Sequence, residues 1–142
     1  MEESSSSQPF TEDICRHTYS FLKMSLEIKD LPFSEAGKGY EFDDDGNNHT
    51  ILETKANAYR GNHIHPYNQY TLLLRGRARY LLHEEERQEF WLKKGEIFTS
   101  KAGVPHILLP EADTITFEWW DGPFEATEVT GIFEDVMEGR VG

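Results

Sequence analysis

A single cysteine, Cys15, leaves this 142-residue chain without any possible intrachain disulfide, and a fold held without disulfides suits a reducing compartment. Basic side chains are scarce: 14 Lys and Arg stand against 26 Asp and Glu, for a net charge of −12. A surface of that sign repels phosphate backbones and anionic lipid, which argues against nucleic-acid and membrane-surface partners. No apolar run approaches the ~20 residues that a membrane-spanning helix needs, and no charged-then-apolar signal segment opens the chain. A cytoplasmic protein is the resulting expectation. A calcium loop is excluded as well, because Gly46 and the next Glu fall at the wrong offsets from Asp43-Asp44-Asp45.

The length accommodates one domain with a real core, and not two. Met1 to Gln8 is acidic and Ser-rich, a composition that favours disorder. Thr11 to Lys23 has weak helical spacing through Ile14, Thr18 and Phe21 or Leu22. Residues 1–23 are therefore read as an N-terminal extension, and residues 24–142 as the folded domain, beginning at Met24-Ser25-Leu26-Glu27-Ile28. From His49 onward, short apolar or alternating runs predict strands at His49–Ala56, Asn68–Arg75, Arg77–His83, Gln88–Lys93, Ile97–Ser100, His106–Leu109 and Asp113–Trp120. Acidic stretches such as Asp43-Asp44-Asp45 and Glu84-Glu85-Glu86 read as solvated turns. Strands at this spacing indicate an all-β sandwich or barrel. After Gly122 one periodic patch (Val129, Ile132, Phe133, Val136, Met137) fits a short helix or an edge strand.

The stretch from His63 to Gly76 carries most of the chemistry. Side chains alternate along a strand, so His63 and His65 point the same way, and Gln69 joins them if the strand resumes in register after Pro66. Two imidazoles and an amide oxygen on one point suit a first-row transition metal. A third imidazole, His106, opens the apolar run that follows the Gly-punctuated segment Gly95 to Pro105.

These two segments resemble the paired motifs of the cupin superfamily. The first family motif reads G, five residues, H-x-H, three or four residues, E, six residues, G. The chain matches it at His63, His65 and Gly76, with Gln69 in place of the Glu and Asn57 in place of the leading Gly. The second reads G, five residues, P-x-G, two residues, H, three residues, N. Here Gly95, Gly103 and His106 match, while Lys101 replaces the Pro and Pro110 the Asn. The resemblance runs from about Glu53 to Trp120 and implies a double-stranded β-helix, or jelly-roll barrel, with a metal inside its mouth. It also implies self-association, most simply as a homodimer paired by sheet edges, for which Met24 to Phe33 is the candidate stretch.

The expected ligand set is His63, His65, Gln69 and His106 around one divalent transition ion (Fe, Ni, Zn, Mn or Cu), with Gln69 either a ligand or a group behind a three-His site. An amide leaves the full charge of the ion facing a substrate, which favours Lewis-acid chemistry. Arg60-Gly61-Asn62-His63 is similar to the entry strand of sugar-nucleotide epimerase and ketoisomerase cupins, in which the matching His is a base and the Arg helps hold an anion. Arg60 is thus a candidate anion clamp, or else a surface Arg paired with one of the many acids. In the last strand Ile115, Phe117 and Trp119 form one face, and Thr114, Thr116, Glu118 and Trp120 the other. If the second face turns inward, Glu118 becomes a general acid/base near the metal. Tyr70 is a further catalytic candidate, and Trp119 a candidate substrate contact. Three functions compete: a metal-dependent oxygenase, isomerase or lyase acting on a small polar molecule; a sugar-nucleotide isomerase with His63 as base; and a non-enzymatic ligand-binding cupin.

Overall fold

A computed structural model of the chain describes residues 25–142. The readings for residues 1–23 lie outside those described, as does most of the evidence for a boundary at Met24. Eleven strands, β1 (Lys29–Asp30), β2 (Gly39–Asp44), β3 (Asn47–Thr54), β4 (Arg60–Ile64), β5 (Gln69–Arg75), β6 (Ala78–His83), β7 (Arg87–Trp91), β8 (Ile97–Ser100), β9 (His106–Pro110), β10 (Thr114–Trp120) and β11 (Thr127–Glu128), precede one short helix, α1 (Glu134–Met137). They form two antiparallel sheets, in the orders β1-β2-β3-β10-β5-β8 and β11-β4-β9-β6-β7. This is the double-stranded β-helix expected from the motifs. Among the described residues no helix is long and apolar enough to cross a membrane.

Strict alternation decides which side chains face inward. On β10, Thr114, Thr116, Glu118 and Trp120 are buried while Ile115, Phe117 and Trp119 are half-buried on the outer face. The inward face of the first sheet is unusually polar, since β3 adds Asn48, Thr50 and Thr54, and β5 adds Gln69 and Thr71. The second sheet supplies the apolar wall. Ala78, Tyr80 and Leu108 pack together inside, with Leu92 and Phe98 against them. Turn chemistry holds the crossovers: Gly76, between β5 and β6, sits at φ 96°, and a Cβ there would collide with the Asp113 carbonyl.

The apolar expectations for the tail resolve into a cover for the second sheet. β9 is buried along its whole length because Phe133, fully buried, packs on the outward side chains Leu81, Ile107 and Leu109, joined by Val129, Ile132, Val136 and Met137. Arg87 staples this segment to β7 by donating to both carboxylate oxygens of Asp135 at 2.7 and 2.8 Å. One acidic stretch differs from the sequence reading. Gly39–Asp44 is a strand paired with β3, so Asp43 and Asp44 belong to a ladder and only Asp45 of the acidic trio lies in the turn. A hairpin is favoured here because Asp45-Gly46 makes a two-residue connection. Glu84-Glu85-Glu86 does form the turn joining β6 to β7.

Removing the fully buried Phe133 ring should cost about 3–5 kcal/mol by the usual measure of large-to-small core changes. The exposed Arg87–Asp135 pair should contribute no more than ~1 kcal/mol. Denaturant unfolding of Phe133→Ala and Asp135→Ala checks this: a Phe133→Ala loss below that of Asp135→Ala would contradict the cover.

Candidate metal centre

Two sheets, rather than one strand, bring the site together. β4 and β9 lie side by side in the second sheet, with His63 directly opposite His106. The chain then leaves that sheet: His65 follows the end of β4, and Gln69 opens β5 in the first sheet, opposite Trp120 of β10. Gln69 therefore approaches the histidines across the barrel, and not by resuming the parity of β4 as the sequence suggested. A β-bulge between Gly61 and His63 adds a second shift. Gly61 (φ 97°) and Asn62 (φ 66°) both take left-handed conformations, so one extra residue enters β4 and Arg60 and His63 come to line the same cavity. Gly61 also approaches the backbone of β9 closely, where a Cβ would meet the His106 carbonyl at 3.1 Å.

The imidazoles of His63, His65 and His106 converge, their candidate ligand nitrogens all lying within 4.8 Å of one another. His65 and His106 are 3% and 2% exposed, and His63 sits half-buried at the rim. Burial pushes all three rings toward the neutral form. His63 falls to about 2, by burial first and then by the neighbouring rings His106 and His65. His106 falls to about 3 for the same reasons, and His65 is lowered by burial. Backbone carbonyls assign the tautomers. His65 Nδ1–H donates to the Glu125 carbonyl (2.7 Å), and His106 Nδ1–H donates to that of Val104 (3.2 Å). Each Nε2 lone pair is thereby left for the centre.

That assignment is the test of whether the residues fit a metal. His106 Nε2 is buried with no hydrogen-bond partner. His65 Nε2 faces Gln69 Oε1 at 2.9 Å. With its one ring proton on Nδ1, a neutral His65 has no hydrogen to donate there, so two acceptors face one another. The amide Nε2 in turn donates to Thr71 Oγ1 (3.0 Å) and Tyr80 Oη (2.8 Å). A cation between the two acceptors removes the conflict, and neighbouring ligands on one ion with ~2.1 Å bonds stand about 3 Å apart. Three neutral imidazoles with an amide oxygen suit a divalent transition ion.

Behind the ligand set runs a buried relay. Tyr80 is 2% exposed, accepts from Gln69, and donates to Glu118 Oε2 (3.3 Å), which Thr116 also reaches (3.2 Å). Burial raises the Glu118 carboxyl to about 7, against the lowering effects of Thr116, Arg60 and Tyr80. The cavity in front of these groups has a volume of about 650 Å³ and is bordered by Arg60, His63, Gln69, Glu118, Trp120 and Phe124. Phe124 packs edge-on to His65 and Trp120, with centroids 5.5 and 5.1 Å away.

The other sequence candidates divide clearly. Glu118 does face inward. Arg60 is half-buried and borders the cavity, with no ion-pair partner among the described residues. Its Nε donates to Thr54 Oγ1 (3.1 Å) and its Nη2 to the carbonyls of Glu53 (2.9 Å) and Lys38 (3.3 Å). Tyr70 and Trp119 lie elsewhere: they stack on one another on the outer face of the first sheet, and the Tyr70 hydroxyl donates to Asp121. Alternation sends them outward because Gln69 and Trp120 point in. Tyr80, Trp120, Phe124 and the Glu125 carbonyl were not singled out from sequence as parts of the site. Parity with Glu118 marks Trp120, and parity with Ala78 and Leu82 places Tyr80 on one face, but loop residues 124 and 125 carry no local signal.

The titrating groups set an expected pH profile for metal-free protein. His63 and His106 have folded values far below the unfolded 6.5, so their contribution is full above that value and lost as pH falls. Between about pH 5.5 and 3.5 the two together should lower stability by on the order of 3 kcal/mol per pH unit. Glu118 acts oppositely, its folded value lying above 4.5: stability present below that value is lost as pH rises through about 7. Denaturant unfolding in the presence of a chelator should show an acid slope that shrinks in His106→Gln. It should also show a loss between pH 5 and 8 that is absent from Glu118→Gln. Slopes unchanged in both variants would contradict these assignments.

No protein-family model matches the chain, and no curated protein matches it by sequence. Solved structures do match. Vicilin from hazelnut, Corylus avellana, superposes with a TM-score of 0.64 at 16% identity over 71% of this chain and 34% of its own. Oxalate decarboxylase of Lactobacillus farciminis, as a formate complex, gives 0.62 at 18% identity over 72% and 33%. The capsular polysaccharide assembling protein CapF of Staphylococcus aureus gives 0.60 at 19% identity over 78% and 33%. The chain thus spans about a third of the length of each. At these identities the likeness concerns architecture, and the chain has the cupin fold.

Proposed function

We propose that this protein is a metal-dependent enzyme that transforms a small polar organic molecule at a centre formed by His63, His65 and His106, with Gln69 as fourth ligand. The observation that carries this reading is the pair of lone pairs, His65 Nε2 and Gln69 Oε1, facing one another beside the unpartnered His106 Nε2. A bound divalent ion such as Fe, Ni, Zn, Mn or Cu would supply Lewis acidity, undiminished by any charged ligand in this set. The chain supplies the rest. Glu118, titrating near neutrality, holds or releases a proton inside the cavity. Trp120 Nε1–H, buried and unpartnered, offers a donor to a substrate oxygen. Phe124 and Trp120 limit access of water. Arg60 is anchored through Nε and Nη2, which leaves Nη1 for an anionic group.

Oxygenase, isomerase and lyase chemistry all fit such a centre. The oxalate decarboxylase neighbour and the placement of Arg60 support a substrate bearing a carboxylate. The sugar-nucleotide reading gains Arg60 and His63 in one cavity but needs His63 as a base, and a ring held near 2 is a weak acceptor at neutral pH. In a ligand-binding cupin without catalysis Glu118 would serve as a hydrogen-bonding group alone.

Elemental analysis of untagged protein should find about one transition ion per chain. His65→Ala and His106→Ala should each lose most of it. Gln69→Ala should lose less, since an amide is the weakest donor of the four, and Gln69→Glu should keep it. Metal content unchanged across these variants would overturn the site. Arg60→Ala should weaken binding of a small carboxylate by about 1.5–3 kcal/mol, the worth of a hydrogen bond to a charged group, with metal content unaltered. Calorimetric titration showing equal affinity would remove Arg60 from the substrate site.

A further inference from the structure

The cavity in front of the histidines is larger than a metal-bound fragment requires. Its volume of about 650 Å³ lies in the range that takes a drug-sized ligand, so a very short acid held at the centre would leave most of it to water. What lines the remainder narrows the occupant. Register on the inner face of the first sheet sets Glu41 of β2 opposite Thr50 of β3, and Thr50 opposite Glu118 of β10. Two strand spacings, ~10 Å, therefore separate Glu41 from Glu118. All three side chains border the cavity.

Asn48 fixes the polarity of this row. It is 3% exposed; its Nδ2 lies 3.0 Å from Glu41 Oε1 and 3.2 Å from Asp43 Oδ1, and its Oδ1 lies 2.8 Å from the Thr50 hydroxyl. Carboxylates accept and do not donate, so the amide nitrogen is the atom that faces them. The amide oxygen then takes the Thr50 hydrogen. Glu41 keeps Oε2, which has no hydrogen bond among the described residues, and Thr50 keeps a lone pair. Toward the cavity both can only accept. Arg60 brings the opposite character from β4, with Nη1 free. Leu31, Pro32 and Leu52 add apolar surface to the same cavity.

We infer that the substrate is a polyhydroxylated carboxylic acid of the sugar-acid kind, its carboxylate on Arg60, its hydroxyls donating to Glu41 and Thr50, and its C–H surface on the apolar side chains. The inference rests on the metal-centred reading above and makes Glu41 the residue that selects hydroxylated acids. A plain acid would leave the Glu41 and Thr50 acceptors unpaired, which is how a site built for hydroxyls rejects an analogue without them. The charge of Glu41 also repels the carboxylate, so the ligand enters one way round. An ammonium group would need its acceptors converged on one point, whereas these are strung along a row.

Calorimetric titration of the full chain with its metal tests this, using glucuronate, glucose, hexanoate and 6-aminohexanoate as probes. Glucuronate should bind at least tenfold more tightly than each of the others. Glu41→Gln keeps an oxygen for Asn48 but turns the free atom from acceptor to donor. It should weaken glucuronate about tenfold or more, the worth of a hydrogen bond to a charged group, and leave hexanoate as it was. Thr50→Val should act in the same direction, so the result does not hang on one variant. Arg60→Ala should weaken glucuronate and hexanoate alike. Circular dichroism and elemental analysis should show the fold and metal content unchanged in all three. Wild-type protein without an ion would overturn the reading of the centre and this inference with it. Protein that holds its ion but binds hexanoate or 6-aminohexanoate as tightly as glucuronate, or binds none of the four, would overturn the sugar-acid inference alone. So would glucuronate affinity unchanged in Glu41→Gln and Thr50→Val.

Discussion

Two backbone carbonyls, those of Glu125 and Val104, govern the site. By accepting the Nδ1–H of His65 and of His106 they turn both Nε2 lone pairs toward one point inside the barrel. A buried acceptor without a donor is costly, of the order of 1–3 kcal/mol, and here several are gathered. The cost is offset where a cation accepts the lone pairs together. The Gln69 amide belongs to the same arrangement, its nitrogen donating to Thr71 and Tyr80 and its oxygen facing His65.

Housing such a site changes how the fold is stabilised. The inward face of the first sheet is given over to Thr, Asn, Gln and Glu side chains that bond mainly to one another and to the centre. That leaves less apolar surface to bury inside a small barrel. Burial shifts to the outside, where Phe133 and its neighbours close over β6 and β9. The polar interior and the apolar tail over the second sheet are consequences of one constraint.

Proton inventory follows from the same polarity. Among the described residues Glu118 is the one buried carboxyl, and desolvation holds it near neutrality while Tyr80 and Thr116 donate to it. Tyr80 then connects it through the Gln69 amide to the imidazoles. A change at the centre is thus linked to the proton state of Glu118 by two hydrogen bonds, which is a short path in a dry interior.

Much of this was legible in the chain. Short apolar or alternating runs located β3, β5, β6, β8, β9 and β10 to within a residue or two: β3, β5 and β10 alternate because one face is buried, and β9 is apolar because it is buried along its whole length. Glycine positions and the spacing of His63, His65 and His106 pointed to a common centre. β2 was hidden, since Asp43 and Asp44 read as a turn until their pairing with β3 is known. Parity separated Trp119 from Trp120 and Tyr70 from Gln69, yet it could not say which set faces inward, for both faces of the first sheet carry aromatics. Tertiary structure decided that, along with the bulge that turns Arg60 to the cavity and the change of sheet that brings Gln69 across it. Local pattern records that side chains alternate. Only the packing of one sheet against another determines which alternate set is enclosed.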